Sequence, residues 1–104
     1  MMNVQVTGIE WDKGNQEKCQ KHGVTREEIE VILMQKHSYL APDEQHSEHE
    51  LRYLAIGRSP LNDRPLFIVF TIREHSNGLW LRPISARYMH KKEAKEYEKE
   101  STSI

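Results

Sequence analysis

Apolar residues come in short blocks along this chain, and the spacing inside each block assigns an element. Val4, Val6 and Ile9, followed by Trp11, read as a short first strand that Asp12 ends. Asp12 can cap a helix running to about Lys21, with Gly23 supplying the left-handed residue just past its end. Thr25 and Glu28 have capping-box spacing, in which each side chain satisfies the other's backbone N–H. A second helix therefore runs to about Met34 and buries Ile29, Ile32 and Leu33. The stretch 35–48 is polar, holds the turn dipeptide Pro42-Asp43 and reads as a connecting loop.

Three strands follow in quick succession. Residues 51–57 and 66–73 are joined by the turn-rich segment 59–63, and the next hairpin closes on Asn77-Gly78 before a strand over 79–87. The block from Phe67 to Phe70 is apolar on both faces, which predicts a central strand. Pro83 lacks a ladder donor and predicts an edge or a bulge for the last strand. From His90 the pattern turns helical, with Lys and Glu alternating on a solvated side while Ala94 and Tyr97 face the protein. The predicted fold class is α+β, a small antiparallel sheet packed by helices in the order β-α-α-β-β-β-α.

Composition sets the scale. At 104 residues the chain fits one domain, 1–104, with a loose tail at 101–104. Apolar residues make up 37% against 30% charged, so the core should be small and at most two layers deep. The single cysteine, Cys19, excludes an internal disulfide and a cysteine-based zinc cluster, and sits where a small core residue fits. No apolar run approaches the ~18–20 residues that span a bilayer, and the N-terminus lacks a signal-peptide pattern. A soluble, cytoplasmic protein with no membrane partner is expected.

Net charge is −1, yet its distribution is uneven. Residues 1–50 sum to −5, residues 51–90 to +4 and the remainder to zero. Every base in the middle segment is arginine: Arg52, Arg58, Arg64, Arg73, Arg82 and Arg87. The planar guanidinium fork suits bidentate recognition of phosphate or carboxylate. Across the predicted hairpin Arg73 either faces Arg82 directly or, one step over, the two sit diagonally beside Trp80 and Thr71; both registers put them on one face. Directly opposed like charges destabilise a sheet by roughly a few tenths of a kcal/mol or more, which makes an anion between them a sensible occupant. Pairing with Glu74 or Glu50 is the plainer alternative.

The six histidines show no metal-ligand spacing; His46 and His49 are three apart but in the loop. No metal and no cofactor are expected. His22 closes the first helix, where the helix dipole favours its charged form. Glu48 and Glu50 enter the arginine-bearing sheet.

Taken in order, Ile9 to Asp12, Lys21 to Val24, Glu50 to Tyr53, Ala55 to Gly57, Phe67 to Thr71, and Arg82 to Arg87 followed by a Lys/Glu helix resemble the BrnT toxins of bacterial type II toxin–antitoxin systems. The likeness runs from Ile9 to about Glu98. It implies a RelE-like ribonuclease fold, metal-independent endoribonuclease activity that inhibits translation and growth, an RNA substrate, and a BrnA-type antitoxin, DNA-binding and dimeric, that also represses the operon. By motif position it implies catalytic roles for Lys21, His22, Glu50, Arg52, Arg73, Arg82, Ser85 and Arg87. Gln20 departs from the pattern, since a basic residue is expected there; Lys18 can compensate.

Metal-free RNA cleavage needs a base for the 2′-hydroxyl, an acid for the leaving 5′-oxygen and positive charge on the phosphorane between them. Arg52, Arg73, Arg82 and Arg87 suit the charge, Glu50 or His22 the base, and Lys21 orientation or charge. A non-catalytic module docking nucleic acid or an acidic partner on its arginine face is the alternative.

Overall fold

The computed structural model describes residues 6–34, 39–42 and 50–102. Eight elements follow in chain order: β1 (Val6–Ile9), α1 (Lys13–Gln20), α2 (Arg26–Met34), β2 (Tyr39–Pro42), β3 (Arg52–Arg58), β4 (Pro65–His75), β5 (Gly78–Tyr88) and α3 (Lys91–Thr102). They build an α+β fold on one five-stranded sheet of order β1-β5-β4-β3-β2, with β4 in the centre as the apolar block around Phe67 to Phe70 requires.

Both predicted helix starts are built from side chains three residues apart. Asp12 accepts from the backbone N–H of Asn15 at 2.9 Å, and Asn15 Oδ1 accepts from the Asp12 N–H at 2.7 Å. Thr25 Oγ1 accepts from the Glu28 N–H at 3.2 Å, while Glu28 returns an acceptor to the Thr25 N–H at 2.9 Å. Gly23, at φ +82°, follows α1 as expected.

Three features depart from the expected layout, while the bulge, one of the two places expected for Pro83, is found. The sheet is mixed, not wholly antiparallel, because β1 pairs parallel with β5. Within the stretch read as a loop, β2 pairs antiparallel with β3 from Tyr39 opposite Ile56 to Pro42 opposite Tyr53; the three residues before Pro42 are too short a run to register as a strand, and Pro42 is tolerated on an edge strand. Pro83 lies in an interior strand, and what admits it there is the bulge: Val69 faces Ser85 while Phe70 faces Pro83, leaving Ile84 as the extra residue. Finally, α3 runs through Thr102 and takes in the first half of the predicted tail. Residues 1–5, 35–38, 43–49 and 103–104 lie outside the described residues, and with them Val4 of the predicted first strand, Asp43 of the predicted turn, the His46/His49 pair and Glu48.

The core occupies one side of the sheet. Cys19 from α1 and Val24, Ile29, Ile32 and Leu33 from the α2 region pack on Ala55, Leu66, Ile68, Phe70, Leu81 and Ala86. Burial pushes the Cys19 thiol up to about 11, so it is an inert core residue. Glu28 is also fully buried. Its carboxylate accepts from Ser59 Oγ and from Tyr88 Oη, both at 2.5 Å, and so ties the start of α2 to the ends of β3 and β5. The opposite face carries alternate residues of the same strands, and α3 is joined to it by Glu93 on Arg87 and Glu98 on Arg58.

Candidate active site

Strand register decides which arginines meet on that second face. Thr71 of β4 lies opposite Arg52 of β3 on one side and Arg82 of β5 on the other, so the three form a row across three strands. One step along, Arg73 faces Trp80, which lies beside Gly8 of β1. Arg73 and Arg82 are thus diagonal neighbours, the second of the two expected registers; the turn is Ser76-Asn77, and Gly78 already belongs to β5. The bulge matters here. Arg82 and Arg87 are five positions apart, an odd spacing that would split them between faces in a regular strand. Ile84 restores the phase, and Ser85 and Arg87 join Arg82 on one face.

Carboxylates meet these arginines closely. Arg73 Nε is 3.1 Å from Glu50, with the two side chains 44% and 38% exposed. Arg82, only 22% exposed, is gripped twice: Asp12 Oδ2 lies 2.6 Å away and Glu10 Oε2 3.5 Å. The Asn15 backbone N–H and then Arg82 hold the Asp12 carboxyl below its ordinary range, and Asp12 in turn raises Arg82. Arg87 clamps both oxygens of Glu93 at 2.9 Å and lies 4.6 Å from the Phe67 ring centroid. Those hydrogen bonds pull Glu93 down to about 2. Three of the partners, Glu10, Asp12 and Glu50, come from the acidic first half of the chain. The positive excess counted along the sequence is therefore balanced locally once the chain folds, and the diagonal register removes the need for an anion between Arg73 and Arg82.

The structure brings Glu50, Arg52, Arg73 and Arg82 together, with Ser85 and Arg87 further along the same face. Lys21 and His22 stand exposed after α1, whose Cys19 enters the core on the other side of the sheet. Among the described residues neither side chain makes a hydrogen bond or ion pair with the arginine row.

Three residues beside the row were not expected: Glu10, Asp12 in its second role as partner of Arg82, and His75. The His75 Nε2 atom is 2.7 Å from Glu10 Oε1, so one carboxylate joins His75 to Arg82. No local spacing could have shown this, because 65 residues separate His75 from Glu10. Only the parallel pairing of β1 with β5 makes them neighbours. Among the described residues, no three His, Cys, Asp or Glu side chains gather as a metal site. The arrangement can hold a phosphate between guanidinium groups, and Glu50 on Arg73 and His75 on Glu10 stand beside them as groups able to move a proton.

Residues 11–93 match the model of a protein family described as ribonuclease toxin, BrnT, of type II toxin–antitoxin systems. The chain belongs to the BrnT family. The match takes in the whole arginine row together with Asp12 and Glu93, the partners of Arg82 and Arg87. A comparison with curated proteins finds no match. Membership makes this chain a ribonuclease toxin, with RNA as substrate and an antitoxin as partner. No helix among the described residues is long and apolar enough to cross a membrane.

Proposed function

We propose that this BrnT chain is a metal-independent endoribonuclease whose open sheet face grips the scissile phosphate. The observation that carries this is the row in which half-buried Arg52 and Arg82 flank buried Thr71, with the exposed Arg73 and its partner Glu50 beside it. Exposed ion pairs are worth only about 0–1 kcal/mol, so a phosphate can displace Glu50 from Arg73 at small cost. Release from Arg73 leaves Glu50 next to the bound phosphate as a free carboxylate, the form a general base requires. Arg82 differs: its two carboxylates fix the guanidinium in place, and preorganised charge is what a developing phosphorane rewards.

The 2′-hydroxyl gives its proton to Glu50 as its oxygen bonds to phosphorus; the P–O5′ bond breaks, and the leaving oxygen takes a proton. His75, held by Glu10 beside Arg82, is the acid. The products are a 2′,3′-cyclic phosphate and a 5′-hydroxyl. Arg52, Arg73 and Arg82 stabilise the charge, with Arg87 and the Ser85 hydroxyl extending the grip along the strand. We assign Lys21 and His22 to orienting the RNA from the end of α1, which moves the base from His22 to Glu50.

Cleavage of this kind in the cytoplasm would inhibit translation and arrest growth until a BrnA-type antitoxin, dimeric and DNA-binding, blocks the face. Induced expression with primer-extension mapping of cellular RNA tests the activity: growth arrest with discrete new 5′ ends supports it, and arrest-free expression of folded protein with intact RNA refutes it.

A further inference from the structure

Next to the arginine row, β1, the β4–β5 turn and the start of α2 border an open cleft of about 530 Å³, which shares Glu10 and His75 with the row but whose two tryptophans the cleavage chemistry leaves unused. Trp11, Trp80, His75, Arg26, Asn77 and Glu10 line it. The chain has two tryptophans, and both are here. Trp80 is fixed from two sides. Its indole N–H donates to Asn77 Oδ1 at 3.0 Å, and its ring covers Gly8, where a Cβ would come within 2.9 Å of Cζ3. His75 sits edge-on to it at 6.2 Å between centroids, and the Arg26 guanidinium lies 5.3 Å from the Trp11 centroid. Glu10 belongs to both places, with one oxygen on His75 and the other 3.5 Å from Arg82.

Immobilised aromatic rings with a guanidinium beside them, one side chain away from a phosphate-binding row, are the equipment by which proteins hold unpaired nucleotides: bases stack while cations follow the backbone. We propose that this cleft takes an unpaired base of the RNA, stacked on Trp80, flanking the phosphate held at the arginine row, so that the cleft selects where the strand is cut. The Asn77 amide N–H₂, whose oxygen is already committed to Trp80, supplies a donor to the base edge. The inference rests on the ribonuclease function proposed above.

Because both tryptophans line the cleft, their emission reports on it directly. The probe is a 2′-O-methyl oligoribonucleotide, which lacks the nucleophile and survives intact, titrated into the full chain. Saturable quenching is expected, with an abasic nucleotide beside the cleavage position weakening binding by about 10-fold or more. Trp80→Ala should weaken binding by a similar factor and shift or blur the cut sites, while Trp80→Phe, which keeps a stacking surface, restores most of both. Gly8→Ala, which pushes on the Trp80 ring without removing it, gives an independent variant. Unchanged emission on binding, or Trp80→Ala that binds and cuts at the same sites as the parent, overturns the inference. Quenching by the antitoxin but not by the oligonucleotide assigns the cleft to the protein partner and also overturns it. Quenching without any cutting of the matching all-ribose strand refutes the ribonuclease mechanism and leaves the base site standing.

Discussion

Replacing Glu28 by alanine should be among the most destabilising single changes the chain can suffer. The side chain is fully buried, and its carboxylate accepts four hydrogen bonds: two from Thr25, one from Ser59 and one from Tyr88. Thr25 lies at the exposed start of α2 and can turn to water. Buried Ser59 and half-buried Tyr88 share Oε2 and both lose that acceptor. Each stranded donor costs about 1–3 kcal/mol, and lost packing adds to that, so about 4 kcal/mol is expected for Glu28→Ala. A domain of this size has about 5–15 kcal/mol in total, and each kcal/mol moves the melting temperature by roughly 4–8 °C. Glu28→Gln keeps the volume and one oxygen, and the hydroxyls can accept from its amide, so about 1–2 kcal/mol is expected there. Burial opposes the charge on Glu28, but the bonds from Ser59, Tyr88 and Thr25 outweigh it and lower its pKa. A folded value below the unfolded one stabilises above the ordinary carboxylate range, and the benefit disappears as pH falls through the lowered value. Urea unfolding followed by circular dichroism at neutral and acid pH checks both parts: the Gln variant should lose less stability on acidification than the parent. A Glu28→Ala loss under about 1 kcal/mol, or identical acid limbs for parent and Glu28→Gln, would refute the reasoning.

Cleavage should survive EDTA and leave 2′,3′-cyclic phosphate ends, as read by end-group analysis; activity lost to chelation and restored by Mg²⁺, or cutting of an all-deoxy strand, would contradict this. Hydrogen exchange of the co-expressed complex should show protection over 51–90, where the arginines and Trp80 lie, and the association rate should fall as salt rises; protection confined to α1 or to 91–102 would put the antitoxin elsewhere. Glu93→Gln removes the acceptor pair that clamps Arg87, so amide exchange in α3 should quicken while β3 and β4 stay protected; an unchanged α3 would mean other contacts hold it.

What the sequence made legible was local. The two capping boxes are hydrogen bonds between residues three apart, so Asp12 and Thr25 with Glu28 announce their helices by spacing alone. The central place of β4 is written in its two-sided apolar block. Strand partners far apart in the chain leave no such mark: β1 could have joined either edge, and the short β2 carries too few residues to declare itself. The site suffers from the same blindness. Arg52, Arg73 and Arg82 are visible as a cluster because consecutive strands display them, whereas the carboxylates of Arg82, Glu10 and Asp12, arrive from the exit of β1, up to 70 residues away. Segment-by-segment charge counting suggested an unneutralised basic patch, and pairing with Glu10, Asp12 and Glu50 is what replaces it. The bulge that aligns Arg82 with Arg87 was half visible, in Pro83.

The most direct test of the account is the rate at which Arg82 variants cut one end-labelled RNA. Arg82→Ala, with circular dichroism unchanged, should cut at least ~10²-fold more slowly, the scale for removing one oriented contact to a developing oxyanion. Arg82→Lys should recover little, because a point charge cannot occupy the place of a fork held between Asp12 and Glu10. Near-parental cleavage by both folded variants would contradict the claim that this sheet face is where the phosphate is cut.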